Sequence, residues 1–191
     1  MEIKSYHTEL KAYLEREIEV IKSLDIDSIN TVMNVLEEAK INHKTTYICG
    51  NGGSAATASH FVCDFNKGLN DEASQFKFQC LSDNTPIMMA ISNAISYDEV
   101  FRYQIKGRIE EGDILFGISG SGNSINVINA MNHAKSVGAK TIALVGFDGG
   151  KMKEIADYCI HVNINDMQIS EDVHMIMDHL MMYVLSHSEE C

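Results

Sequence analysis

The order of apolar segments along the chain constrains its fold more than any other feature of the sequence. Short segments rich in β-branched and other apolar residues alternate with longer stretches of helical periodicity. Strands that alternate with helices in this way form a parallel sheet covered by helices on both faces. The four clear strand segments and a fifth expected one cover residues 45–49, 76–81, 113–119, 141–145 and 158–163.

Helical periodicity marks the two ends of the chain as well as the connections between strands. Residues 5–24 and 28–40 place apolar side chains at steps of three and four, which predicts two amphipathic helices. Residues 168–186 are apolar almost all round and predict a last, buried helix. The helices predicted between the strands cover residues 54–66, 97–110, 123–136 and 150–156.

This pattern predicts an α/β fold with a doubly wound, flavodoxin-like parallel sheet of about five strands, helices on both faces and an N-terminal helical extension. The length of 191 residues suits one domain with a full-sized core. We expect a single domain over residues 1–191, with the N-terminal helices in 1–40 and the α/β core and C-terminal helix in 41–191.

Charge and cysteine usage restrict the partners and the compartment. The net charge of −12 argues against nucleic-acid and anionic-membrane surfaces, which need clustered lysine and arginine. No signal segment is evident, and the apolar stretch 175–185 is too short to span a membrane. The scattered cysteines predict free thiols in a reducing cytoplasm rather than disulfides. They are Cys49, Cys63, Cys80, Cys159 and Cys191.

Two glycine-rich loops follow predicted strands and precede predicted helices. Glycines let backbone N–H groups approach an anion closely, and the helix that follows offers free N–H groups and a favourable dipole end. The first loop consists of Gly50, Asn51, Gly52, Gly53 and Ser54. The second consists of Ser119, Gly120, Ser121, Gly122, Asn123 and Ser124.

Either loop alone is compatible with a plain capped turn. The second loop, however, is rich in hydroxyl and amide side chains, which can surround a phosphate with no fixed cation. Two such loops at the carboxyl ends of parallel strands favour a ligand site, because open α/β sheets bind ligands at that edge. Neither loop has the P-loop or dinucleotide-binding pattern.

The runs GNGGSAATASHF and GISGSGNSINVINAM together resemble the SIS (sugar isomerase) family, over nearly the whole chain. Within it the chain looks closest to the phosphoheptose isomerases. The resemblance implies an aldose–ketose isomerase that converts sedoheptulose 7-phosphate to D-glycero-D-manno-heptose 7-phosphate through an enediol. It also implies a homotetramer, an expectation that fits the apolar surface of the long terminal helices.

The resemblance implies roles for individual residues. The serines Ser119, Ser121 and Ser124 match the family's phosphate ligands, and Asn51 and Ser54 line the site. The remaining substrate-binding residues implied by it are Gly52, Gly53, Gly120, Asn123, Asn93 and Glu171.

The run EDVHMIMDHL resembles the segment that supplies the family's catalytic histidine, which makes His179 its match here. Asp64 occupies the position of the family's catalytic glutamate. Such a pair suits the reaction, because one group removes a carbon-bound proton and another moves protons between the oxygens. Several members also bind zinc at these positions. The implied ligands of one Zn²⁺ per site are His60, Asp64, Glu171 and His179, with no nucleotide cofactor.

The sequence departs from the family at several of these positions. Asp64 replaces the usual glutamate, Glu171 replaces the usual glutamine, and the run 92–94 (Ser-Asn-Ala) replaces a common Gly-Asn-Asp. We interpret the carboxylates as a working metal site with altered sugar specificity. Two alternatives stay open: a non-catalytic phosphosugar-binding or regulatory SIS protein, of the type that associates with a replication initiator, and an enzyme acting on another sugar phosphate.

Overall fold

A computed structural model describes residues 4–68 and 75–187 of the protein. These residues contain one five-stranded parallel sheet. Its strand order, β2-β1-β3-β4-β5, is the flavodoxin-like order, which confirms the predicted fold. Each strand was predicted to within a few residues, because fully buried parallel strands read as continuous apolar runs. The strands are β1 Thr46–Gly50, β2 Phe78–Cys80, β3 Ile114–Ser119, β4 Lys140–Val145 and β5 Tyr158–His161.

Helices cover both faces of this sheet. A short 3-10 turn at Tyr97–Glu99 precedes the fifth helix. Among the described residues, no helix is long and apolar enough to cross a membrane. The helices are α1 His7–Lys22, α2 Ile26–Ile41, α3 Gly53–Gly68, α4 Thr85–Ala94, α5 Val100–Ile105, α6 Ile125–Ser136, α7 Gly150–Ile155 and α8 Met167–His187.

Alternate strand residues feed two separate apolar cores. Ile48 of β1 points toward α2, α3 and α8, where it joins a cluster that includes Phe61 and Val173. Its neighbours Tyr47 and Cys49 point toward α4, α5, α6 and α7 on the opposite face. This period-two division is what a sheet buried on both sides requires.

The connection between β2 and β3 differs from the sequence prediction. Helix α4 was not predicted, although Asn84 caps it through Ile87 N–H and Pro86 lies in its first turn, both ordinary start signals. The helix predicted over 97–110 ends at Ile105, because Gly107 follows with a positive φ of 73° and leaves the helical conformation.

The N-terminal helix packs lightly on the body of the protein. Tyr13 donates a hydrogen bond to the Asp172 carboxylate, and Arg16 forms an ion pair with Asp166 at 3.1 Å, so α1 is held against the start of α8. Its apolar residues Leu10, Leu14 and Ile18 remain exposed in the single chain.

Candidate functional site

The strand register brings the two glycine-rich loops side by side. Gly50 at the end of β1 pairs with Ile118 near the end of β3, so Asn51 and Ser119 leave the sheet at the same edge. The strand order reverses between β1 and β3, which is the position where open α/β sheets bind ligands.

The first loop passes directly into α3. Gly52 has a φ of +55°, a conformation that favours glycine, and α3 begins at Gly53. A side chain at Gly53 would meet the Glu171 carboxylate, since a Cβ there would lie 2.3 Å from Oε2. In the first turn of α3 the Ala55 and Ala56 N–H groups donate to the Gly52 carbonyl, which leaves the N–H groups of Gly53 and Ser54 as those that a helix start cannot pair within the helix, and α8 packs against this start.

The second loop is closed by its own hydroxyl groups. The Oγ atoms of Ser119 and Ser124 lie 3.0 Å apart, and the Gly122 N–H donates to Ser119 Oγ at 3.2 Å. Ser124 occupies the N-cap of α6, yet its side chain makes no capping hydrogen bond. Its hydroxyl therefore lies beside Ser119 at a helix N-terminus, as an anion site requires.

Gly122 is the residue of this loop that tolerates no side chain. Its φ is +66°, and a Cβ there would lie 2.0 Å from the Gly149 carbonyl oxygen. The Gly122 carbonyl in turn accepts a hydrogen bond from Met152 N–H at 2.9 Å. The loop is therefore fixed against the start of α7 by close backbone packing.

Asn123 stabilises the second loop through hydrogen bonds within the loop and to α7. Its amide nitrogen donates to the Ser121 carbonyl at 3.0 Å, and its Oδ1 accepts from Lys151 N–H at 3.0 Å. The Ser121 hydroxyl accepts from the Asn123 backbone N–H at 3.2 Å. Both residues, predicted as substrate-binding, use these groups on the loop itself.

Asn51 joins the two loops through residues that the sequence interpretation did not select. Its side chain and that of Asn126 exchange two amide hydrogen bonds of 3.0 and 2.9 Å, and Tyr97 Oη donates to Asn51 Oδ1 at 2.6 Å. Asn126 is buried at the start of α6. The signal for it was only a polar residue on an otherwise apolar helix face, which is weak by itself.

Helices α3 and α8 leave the loop region side by side and in the same direction. Gly53 meets Glu171 near their starts, His60 meets His179 about two turns later, and Gly68 meets Met182 near the end of α3. This packing brings polar side chains of α3 and α8 together in one cluster. Within α3, His60 and Asp64 lie on the same helix face, as predicted.

Two histidines and two carboxylates form that cluster. The Nε2 atoms of His60 and His179 are 3.1 Å apart, and His60 Nε2 lies 3.6 Å from Asp64 Oδ2. One ligand atom from each of His60, Asp64, Asp178 and His179 lies within 4.8 Å of all the others. On a tetrahedral zinc ion, Zn–N distances of about 2.0–2.1 Å separate two nitrogens by about 3.3 Å, so this donor set fits a divalent cation.

Asp178 is the member of the cluster that is absent from the site residues implied by the sequence. Its side chain is fully buried, and neither carboxylate oxygen has a hydrogen-bond partner among the described residues. Burial, with a smaller contribution from the Asp64 charge, raises the pKa of the Asp178 carboxyl to about 7. The available signal was a charged residue inside an apolar helix, which is rare without a partner.

Three other polar residues near the site have distinct placements. Glu171 is not among the four clustered residues, and its carboxylate lies against Gly53 at the start of α3. Asn93 is exposed near the end of α4 and makes no hydrogen bond to either loop within the described part of the chain. His174 is fully buried in α8, where burial lowers the pKa of its imidazole to about 4 and the Val145 backbone offsets only part of that effect.

The family model of the SIS domain matches residues 6–146, which include both glycine-rich loops. A phosphoheptose isomerase from Aliarcobacter butzleri is 35% identical over 179 residues, which are 94% of each protein. One from Helicobacter pylori is 36% identical and covers 90% of this chain and 87% of its own length.

A solved structure agrees with these relatives. The phosphoheptose isomerase from Neisseria gonorrhoeae superposes with a TM-score of 0.86 at 29% identity, over 95% of this chain and 98% of that protein. The chain therefore belongs to the SIS-domain family and, within it, to the phosphoheptose isomerases, which are aldose–ketose isomerases.

Proposed function

We propose that this protein converts sedoheptulose 7-phosphate to D-glycero-D-manno-heptose 7-phosphate by moving a proton between two adjacent carbons. The observation that carries the proposal is the meeting of His60, Asp64 and His179 on two helices that both begin beside the glycine-rich loops. Relatives that align over nearly the whole chain carry the name phosphoheptose isomerase, which supports this substrate.

The phosphate group is proposed to bind between the two loops. Ser119 and Ser124 supply hydroxyl groups, and the start of α3 supplies the backbone N–H groups of Gly53 and Ser54. Ser54 lies in the same turn, and Asn51 fixes the spacing between the loops through Asn126. Neutral donors of this kind hold an anion in a chain whose overall charge is −12.

The distance from loop to cluster suits a long sugar phosphate. Gly53 and His60 are separated by about 10 Å along α3 at 1.5 Å per residue. An extended seven-carbon sugar spans roughly 9 Å from its terminal phosphate to the carbonyl carbons, given C–C bonds of about 1.5 Å. A phosphate at the first turn of α3 therefore places the reacting carbons near His60 and Asp64.

The proton transfers are proposed to use Asp64 and His179. A carboxylate is a suitable base for the proton on carbon, and an imidazole can exchange a proton with the sugar oxygens. The two residues share His60 as a neighbour, so they face one small volume from two different helices. Glu171, against Gly53, is proposed to contact the substrate between the loops and the cluster.

We further propose one Zn²⁺ per site, held by side chains of this cluster that include His60, Asp64 and His179. Imidazole nitrogen and carboxylate oxygen are ordinary zinc ligands. When bound, the cation polarises the sugar carbonyl and so lowers the cost of the enediol.

The test is turnover of sedoheptulose 7-phosphate by purified protein before chelation, after chelation and after added Zn²⁺, with the product identified by NMR. We expect activity that the chelator removes and zinc restores. Activity that persists after chelation would leave Asp64 and His179 as acid and base without a metal. Turnover of a pentose or hexose phosphate instead would change the substrate, and phosphosugar binding without any turnover would support the regulatory alternative.

We also propose a cytoplasmic homotetramer formed by the whole chain as one SIS domain. The exposed fractions of Leu10, Leu14 and Ile18 on α1 are 62, 57 and 48%. Large apolar side chains that are exposed together on one helix face are often covered by another subunit. Sedimentation at several protein concentrations tests the assembly, and a stable, fully active monomer would contradict it. Cell fractionation tests the compartment.

A further inference from the structure

We propose that Asp178 is a protein ligand of the divalent cation, so that one protomer supplies a complete set of two histidines and two aspartates from α3 and α8. This inference rests on the metal site of the proposed function and deepens it. It assigns the fourth position to Asp178 rather than to Glu171, the residue that the sequence interpretation had favoured.

Ligand atoms from two helices converge at the cluster. Helix α3 contributes His60 and Asp64 at a spacing of four, and α8 contributes Asp178 and His179 as neighbours. A ligand atom of Asp178 lies within 4.8 Å of a ligand atom on each of the other three residues. Four nitrogen and oxygen atoms that converge this closely match the number of donors in a tetrahedral zinc site.

The Asp178 carboxylate lies in an environment that supplies it with no donor. Asp178 has no exposed surface, and neither of its oxygens receives a hydrogen bond within the described residues. No lysine or arginine among the described residues forms an ion pair with Asp178. A buried carboxylate without donors or a counter-charge is strongly unfavourable, and a bound cation removes that cost.

Glu171 lies apart from the cluster of His60, Asp64, Asp178 and His179. Asp178 lies seven residues further along α8, which is about 10 Å along the helix axis at 1.5 Å per residue. The Glu171 carboxylate is placed against Gly53, at the opposite end of the loop-to-cluster path. In this structure no Glu171 oxygen is among the ligand atoms that converge at the cluster, whereas an Asp178 oxygen is.

The choice of Asp178 has a consequence for selectivity. Two aspartates neutralise a divalent cation, and two imidazoles favour zinc and related transition metals over magnesium or calcium. The site therefore takes a borderline transition-metal ion without leaving net charge on the four residues of the cluster.

The test measures Zn²⁺ binding to chelator-treated protein by isothermal titration calorimetry, with stoichiometry checked by elemental analysis. The three variants Asp178→Asn, Glu171→Gln and Glu37→Gln each remove one carboxylate charge, and Glu37 is exposed on α2 outside the cluster. Asp178→Asn is expected to weaken zinc binding at least about tenfold, as loss of a metal-site group does. The other two variants are expected to stay within about threefold of the unmodified protein.

Thermal unfolding separates a lost ligand from a misfolded variant. Metal-free Asp178→Asn and Asp178→Leu are expected to melt no lower than the metal-free unmodified protein, because each removes a buried carboxyl group that has no hydrogen-bond partner among the described residues. Both are expected to lose most of the rise in melting temperature that Zn²⁺ gives the unmodified protein.

Equal zinc affinity in Asp178→Asn and the unmodified protein overturns the inference, as does a loss of affinity in Glu171→Gln alone. If the unmodified protein binds no divalent cation yet still isomerises the sugar phosphate, the ligand assignment fails while the proposed reaction stands. If zinc binds through Asp178 but no sugar phosphate is turned over, the assignment stands and the proposed reaction fails.

Discussion

The site has two halves: the loop half, which consists of the two glycine-rich loops with Asn126, and the cluster half, which consists of His60, Asp64, Asp178 and His179. The two halves differ in how many of their polar groups have hydrogen-bond partners. In the loop half, Ser119, Ser124, Asn51 and Asn126 all hydrogen-bond to one another or to the backbone. In the cluster half, Asp178 has no partner within the described residues, and two carboxylates and two imidazoles crowd together.

This difference separates two ways of preparing a binding site. Neutral donors can be fixed by hydrogen bonds before an anion arrives, so the loops need no ligand to be stable. Like charges and orphaned oxygens are stabilised only when a cation is present, so the cluster holds its donors at a cost to the metal-free protein. This difference fits the roles proposed for the two halves, phosphate binding at the loops and proton transfer at the cluster.

The largest effect that would sharpen this division is expected from His179→Gln. Glutamine cannot exchange a proton near neutral pH, so turnover is expected to fall about 10²- to 10⁴-fold. Affinity for inorganic phosphate, which the proposal assigns to the loops, is expected to stay unchanged. Steady-state kinetics and phosphate titration check both statements. The control is His187→Gln, an exposed histidine later in α8, which should retain activity.

A second effect concerns His174, the other poorly satisfied residue of α8. Its pKa is about 4 in the folded protein against 6.5 when unperturbed, so the unfolded chain binds a proton first as the pH falls. Stability supplied by the neutral ring is complete above pH 6.5 and is lost as the pH falls toward 4, by about 3 kcal/mol at 1.36 kcal/mol per pKa unit.

Urea unfolding of metal-free protein across this pH range, at one protein concentration, measures that loss. His174→Phe keeps a ring in the core but cannot be protonated, so its free energy of unfolding should decline less between pH 6.5 and 4. Identical pH dependence in the variant and the unmodified protein would show that His174 does not couple to folding.

The loop half is tested by Ser119→Ala. A hydrogen bond to a charged group contributes about 1.5–3 kcal/mol, so phosphate and sugar-phosphate affinity should fall roughly ten- to hundredfold. Turnover at saturating substrate should change much less, because the cluster is intact. The matched control is Ser136→Ala at the exposed end of α6. A fall in kcat as large as the loss in affinity would mean that the halves are not separable.

The smallest effect is expected from Tyr97→Phe, which removes the hydroxyl that donates to Asn51. One net hydrogen bond contributes about 1 kcal/mol, so stability and phosphate affinity should each decrease slightly. Calorimetric melting and phosphate titration measure the two changes. Tyr103→Phe is the control, since the Tyr103 hydroxyl makes no hydrogen bond within the described residues. An unchanged phosphate affinity would show that the loop spacing does not depend on this contact.

Elements that depend on interactions between residues close in the sequence were predicted best. Helix α8 was predicted nearly to its ends because its apolar periodicity is local, whereas α4 was missed because its pattern is short and its start depends on one asparagine cap. The thiols of the four described cysteines are free, as predicted, and Cys191 lies outside the described residues.

The sequence by itself determined the strand–helix alternation, the two glycine-rich loops and the pairing of His60 with Asp64, because each depends on neighbours within one turn or one strand. The tertiary structure alone decided which carboxylate of α8 joins them. Glu171 and Asp178 are both plausible on spacing, since they are seven residues apart and so near the same helix face. The parallel packing of α3 on α8 placed Asp178 in the cluster and Glu171 against Gly53, and such an axial register between two helices is a contact between distant parts of the chain.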